Sequence, residues 1–138
     1  MVLMIFFPVW VASENDVEKI LFPLHYTIRS GDVRNTIYFP YAASALLAMA
    51  AATLAVIEIG KFENRMLQLK LGALNSLFMM GALGTAVYFA TRLIKSNQLA
   101  GGYGLGLYLP AIAMICNMIA NRYIRKDEKL VRDSDRIR

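Results

Sequence analysis

The sequence predicts an all-α integral membrane protein, a four-helix transmembrane bundle with a first helix truncated at the N-terminus and a last helix running into the cytoplasm. Three observations carry that class. Of 138 residues 57% are apolar, and counting glycine lifts the share to about 64%, where soluble domains sit near 45–50%. Charged residues make up only 18%, and mean hydropathy is +0.45. The uncharged residues also fall in runs, at 37–57, 71–91 and 96–121. A chain this short cannot bury so many apolar residues in a soluble core, and its single cysteine excludes a disulfide scaffold.

At the N-terminus, residues 1–12 are wholly apolar but reach only about 18 Å as a helix, too short to span. They lack the basic start of a secretory signal. The stretch is therefore read as a partial first helix whose beginning lies upstream, with Pro8 and Trp10 near its outer end; a re-entrant segment is the alternative. Residues 13–36 form an extracytoplasmic loop. In it Ser13, Glu14, Asn15 and Asp16 suggest a turn, and Leu24, Tyr26 and Ile28 alternate with His25, Thr27 and Arg29. Ser30-Gly31-Asp32 then turns the chain back through Val33 to Phe39, a hairpin lying on the outer face. Helices come next at 37–60, 71–94 and 104–124, each near the ~20 residues a bilayer requires. A cytoplasmic loop at 61–70 and an outer loop at 95–103 join them, and 125–138 is a basic cytoplasmic tail. Ser44, Ala48 and Ala52, and again Ala82, Ala86 and Ala90, recur every four residues. Small residues at that spacing let helices approach closely.

The net charge of +5 is a matter of placement. Ten of the fifteen Lys and Arg fall in the 61–70 loop and in the tail from Arg122 onward. The positive-inside rule then puts both inside, N-in and C-in. Specific nucleic-acid binding is not expected, because the tail mixes seven basic residues with four acids.

No catalytic constellation can be composed. His25 and Cys116 are the only residues of their kinds, so no zinc, haem or dithiol site can be assembled, and neither metal nor cofactor is expected. Cys116 reads as a small buried apolar group. The glycines from Gly101 to Gly106 ease entry to a helix or let it pack closely. Two groups of residues stand out. Glu58, Asn75, Asn117 and Asn121 come to similar depth near the inner leaflet, and a carboxylate in a membrane helix is a functional candidate because it is costly unless paired or wet. The plainer account pairs Glu58 with Lys61 or Arg65. The second group, Lys126, Asp127, Glu128, Lys129, Arg132 and Arg136, alternates charge along an extension of the last helix, with Glu128 and Arg132 one turn apart and Asp135 three residues from Arg138. It forms a solvated face and a candidate docking surface.

The tail pattern Asn121-Arg122, Lys126 to Arg132 and Asp135-Arg136 resembles the end of a domain-of-unknown-function family of small four-helix inner-membrane proteins of Bacteroidota. The stretch Glu63 to Lys70 with Leu74-Asn75 resembles that family's inner loop, and Gly104 to Pro110 its entry to the last helix. The resemblance implies a fold and a compartment but no activity. The expected function is non-enzymatic: an accessory or assembly subunit of a larger inner-membrane complex, for protein export or insertion or for respiration. It would dock through the inner loop and tail. Its partners would be membrane lipid and a membrane-protein or cytoplasmic component, the ribosome among the candidates. The alternative is a small oligomeric transporter or channel with Glu58 as coupling group.

Overall fold

The computed structural model describes residues 1–14, 17–97 and 101–135. Three long helices form, α1 (Ala42–Gly60), α2 (Arg65–Asn97) and α3 (Leu105–Asp135). Each is long and apolar enough to cross a membrane. The fourth does not form. Val2–Phe6 is a short 3-10 helix, after which the chain enters a five-stranded antiparallel sheet. Its strands are β1 (Trp10–Glu14), β2 (Val17–Leu21), β3 (Tyr26–Ser30), β4 (Val33–Ile37) and β5 (Gly102–Tyr103), in the order β4-β3-β2-β1-β5.

The all-α four-helix class, with its truncated first helix, is thus corrected to three helices plus a sheet. The cause is local, at Pro8 to Val11. Proline offers no N–H and biases the preceding residue away from helix. Trp10 and Val11 then favour extended backbone, and β1 pairs with β2 on one side and β5 on the other.

The hairpin read from 24–39 is present as β3 and β4, in register from Tyr26↔Ile37 to Ser30↔Val33. Gly31 carries φ 55 in its two-residue loop, the positive value that primed hairpin turns require. Of the turn cluster at Ser13–Asp16, Asn15 and Asp16 lie outside the described residues. One sheet face turns inward, burying Trp10, Ala12, Leu21 and Tyr26 in one cluster with Ala48, Ala82, Ala86 and Ala90. The small residues at four-residue spacing are therefore the seam where the helices meet each other and the sheet.

β5 and the start of α3 lie directly on the N-terminal segment. Gly104 N–H donates to the Val9 carbonyl and Gly106 N–H to the Pro8 carbonyl, both at 2.9 Å. A Cβ on either glycine would collide with the backbone at Phe7 or Pro8. The sheet accordingly sits where α1 begins, α2 ends and α3 begins, which we call the sheet end. At the opposite, tail end the connection shrinks to 61–64, because Asn64 Oδ1 accepts from Leu67 N–H at 3.1 Å and caps α2. Helix therefore covers 65–70, a stretch read from sequence as loop.

Candidate functional site

α1 and α3 both pack on α2 and leave a groove of about 520 Å³ between them. Its walls are small and apolar, with Ala52, Ala55, Ala113 and Ala120 among them, and Met1 and Val2 line it from the N-terminal 3-10 helix. Glu58, Asn75 and Asn117 also line it, at 7%, 1% and 9% exposure. Three of the four residues of the inner-leaflet cluster thus share one groove.

Their partners differ. Asn117 Nδ2 donates to the Gly72 carbonyl at 2.9 Å and to Ser76 Oγ at 2.8 Å, fastening α3 to α2. Glu58 offers its backbone carbonyl to Gln68 Nε2 at 3.3 Å. Its side chain comes near enough to the Asn75 amide to interact, yet neither amide atom of Asn75 completes a hydrogen bond. Buried polar atoms are nearly always paired, so an amide with only the Glu58 carboxyl near it is an exception that asks for a further partner. Asn121 lies apart from the groove, on the α2–α3 seam, packed so closely on Gly72 that a Cβ there would strike its amide.

Glu58 makes no ion pair with Lys61 or Arg65. Arg65 reaches α3 instead, its guanidinium 2.8 Å from an Asp127 carboxylate oxygen without the alignment of a good hydrogen bond. Sequence reasoning missed this pair because nothing in the spacing brings residues 62 positions apart together.

The docking candidates stand on a projecting helix. The 31 residues of α3 reach about 46 Å against a hydrocarbon core of about 30 Å, so its last third lies beyond any span. The first turn and a half of α2, Arg65 to Lys70, overhangs beside it, and Arg65–Asp127 ties the two into a stalk. Lys126, Asp127, Lys129 and Arg132 are exposed and Glu128 is half-buried. Arg136 and the Asp135–Arg138 pairing lie outside the described side chains. Between the charges, Tyr123 and Leu130 stand 68% and 60% exposed and line a shallow depression with Ile124, Lys126 and Asp127.

His25 belongs to the sheet end. Its ring stacks on Phe22 with centroids 4.9 Å apart and lies 5.7 Å from Tyr38. Burial first, then the Arg34 charge, lowers its pKa from the usual 6.5, favouring the neutral ring. Cys116, expected to be buried, is exposed on α3 at the edge of the groove. No group of three or more His, Cys, Asp or Glu that could hold a metal exists among the described residues.

A family model described as a domain of unknown function matches residues 1–137. No curated protein and no solved structure is significantly similar to the chain.

Proposed function

The chain belongs to the DUF4293 family, and from that premise we propose that it is a non-enzymatic accessory subunit of a larger complex in a bacterial inner membrane, of the Bacteroidota kind its tail resembles. In this reading the three helices cross the membrane, the sheet faces out and the stalk faces in. Large apolar side chains cover the outward surfaces of the helices, among them Leu46, Val56, Leu77, Ile112 and Ile119, which suits lipid and not water. Exposed aromatics gather at both ends, with Phe6, Tyr38, Phe39, Tyr88 and Tyr108 at the sheet end and Phe62 and Tyr123 at the other. Aromatic residues of this kind favour membrane interfaces. Ten basic residues at the tail end against five at the sheet end orient the stalk inward by the positive-inside rule. Reporter fusions after Phe62 and after Arg132 should both read inside, and one inserted at Gly31 outside; any reversal overturns the orientation.

The observation that supports the docking role is the stalk: the end of a helix longer than a span requires, linked to its neighbour by Arg65–Asp127 and presenting exposed Tyr123 and Leu130 among alternating charges. The bundle has no use for that surface. Reversing Lys129 and Arg132 to Glu should leave insertion intact and abolish recovery of a co-purifying membrane or cytoplasmic partner. Arg132→Glu faces Glu128 at i,i+4, so helicity is checked by circular dichroism. Recovery at wild-type yield refutes the role. The transporter reading is favoured by one observation, the groove that brings Glu58 to Asn75. Loss of a solute flux in Glu58→Gln with the partner still bound would select it.

A further inference from the structure

We propose that the groove between α1 and α3 holds one aminolipid of the tail-end leaflet, with its ammonium at Glu58, a glycerol ester carbonyl on the Asn75 amide and an acyl chain along the alanine walls. The inference rests on the membrane placement proposed above and is independent of docking through the tail.

Three observations converge on this occupant. The first is depth. The groove runs from Ile59 and Ile124 at the tail end to Ala52 and Ala113, where Met1 and Val2 line it. Eleven residues of α3 separate Ile124 from Ala113, about 16 Å of helix, which is roughly one leaflet of a ~30 Å core. The N-terminal 3-10 helix packs against both α1 and α3 and bars the farther half. A spanning helix of a partner therefore does not fit, whereas a molecule as long as a single leaflet does.

The second is polarity in the right order. Glu58 borders the uncharged run of α1, two residues before the helix ends. Asn75 lies four residues inside the uncharged run of α2 that begins at Leu71, about 6 Å deeper than its edge. A lipid entering from that leaflet presents its headgroup outermost, then the glycerol esters, then the chain. A carboxylate at the rim selects an ammonium, and the Asn75 Nδ2–H group deeper in the wall suits an ester carbonyl.

The third is need. Asn75 is 1% exposed, neither polar atom of its side chain completes a well-formed hydrogen bond and its one near polar neighbour is the Glu58 carboxyl, and no water of the bulk reaches the hydrocarbon to serve them. A volume of about 520 Å³ is within the range of small-molecule sites. An ester carbonyl in that volume gives Asn75 its acceptor, and the ammonium gives Glu58 its counter-charge.

Native mass spectrometry of the full chain in mild detergent, titrated with phosphatidylethanolamine and with phosphatidylglycerol of the same chains, tests this. The expected result is one retained phosphatidylethanolamine per chain, released at least tenfold more readily from Glu58→Gln and from Asn75→Leu, with phosphatidylglycerol retained weakly by all. Ala55→Phe, which fills the groove from its wall and keeps both polar groups, should exclude the lipid as well and stands in where Glu58→Gln fails to fold. Equal retention of the two lipids, or phosphatidylethanolamine retention unchanged in the variants, overturns the site. A chain that stays soluble without detergent overturns the membrane placement and the site together.

Discussion

The two ends of the helix bundle are finished to different standards. At the sheet end the polypeptide closes on itself: Trp10, Met4 and Val9 are fully buried, glycine backbones lie on Pro8, and Ser44 Oγ donates to the Pro23 carbonyl at 2.8 Å. Unmet buried polar atoms occur at both ends, on Trp10, His25 and Thr27 at the first and on Asn75, Asn121 and Arg65 at the second; the tail end differs in its projecting stalk, where Tyr123 and Leu130 stand exposed among charged side chains. Packing at the first end leaves little room for change. Side chains projecting from the stalk at the second are what an interaction surface needs before its partner arrives. The contrast teaches where to look for stability and where for binding.

The largest effect should come from the sheet end. Gly104→Ala or Gly106→Ala places a methyl against the Phe7–Pro8 backbone, which cannot yield as a flexible side chain would. Overpacking costs about 1–3 kcal/mol, occasionally more, and backbone contact belongs at the top of that range. Gly84→Ala in α2 meets nothing within 4 Å and should be neutral or gain up to about 1 kcal/mol from helix propensity. Trp10, the single tryptophan, reports the sheet end by fluorescence during thermal unfolding in detergent. Equal Tm values for Gly104→Ala and Gly84→Ala would dissolve the contrast.

At the tail end the same chemistry should be gentler. Asn117→Ala removes hydrogen bonds to Gly72 and Ser76, and interhelical bonds of this kind average about 0.6 kcal/mol, up to about 1.7. Asn75→Leu removes an amide that completes no well-formed hydrogen bond, and should cost nothing or stabilise, since the penalty of about 1–3 kcal/mol for an unsatisfied buried group outweighs its weak contact with the Glu58 side chain. Opposite signs for these two asparagines, on neighbouring helices, would sharpen the distinction between a built contact and a vacant one. A destabilised Asn75→Leu in lipid-free detergent would erase it.

These residues also show what the sequence could tell. The three long helices were legible because their uncharged runs are as long as a membrane crossing requires, and the β3–β4 hairpin because Ser30-Gly31-Asp32 marks a turn between alternating strands. The N-terminal segment was not. β1 lies in a sheet that packs on an apolar bundle, so no clean alternation survives in residues 1–12, and an apolar run reads as helix; only Pro8 spoke against it. Glu58, Asn75 and Asn117 were recognisable as polar residues towards one end of the helices. Which of them is paired depends on rotation about each helix axis, and Asn121, four residues after Asn117, meets the same Gly72 yet does not line the groove. Arg65–Asp127 was illegible for want of any local signal.

A pH titration probes the sheet end through His25. The folded protein holds the His25 pKa below 6.5, through burial and then the Arg34 charge, so the unfolded chain binds the proton more readily. The stability this contributes is complete above pH 6.5 and is lost as pH falls from there through the folded value. Tm should be flat above 6.5 and decline below it, and His25→Phe, which keeps the stack on Phe22, should remove the decline. A Tm of the wild type that rises on acidification through this window would contradict the assignment.

The smallest effect is expected from Arg65–Asp127, which closes the stalk at 2.8 Å but with side chains 35% and 62% exposed. Exposed pairs contribute about 0.2–1 kcal/mol, because water screens the attraction and two long side chains must be ordered. Arg65→Asp and Asp127→Arg should each lower stability slightly, and the double exchange should recover it, a coupling that a double-mutant cycle reads directly. Salt should weaken the wild-type coupling, since exposed charges are screened over about 10 Å at 0.1 M. The consequence for the stalk outweighs the energy. A single pair sets how far the tail helix can swing from α2, so spin labels on Gln68 and Leu130 should show a broader distance distribution in either single variant and a wild-type one in the exchange. An unchanged distribution in Asp127→Arg would mean that α3 is held by its own helical continuity, and that the pair contributes nothing to presenting the docking face.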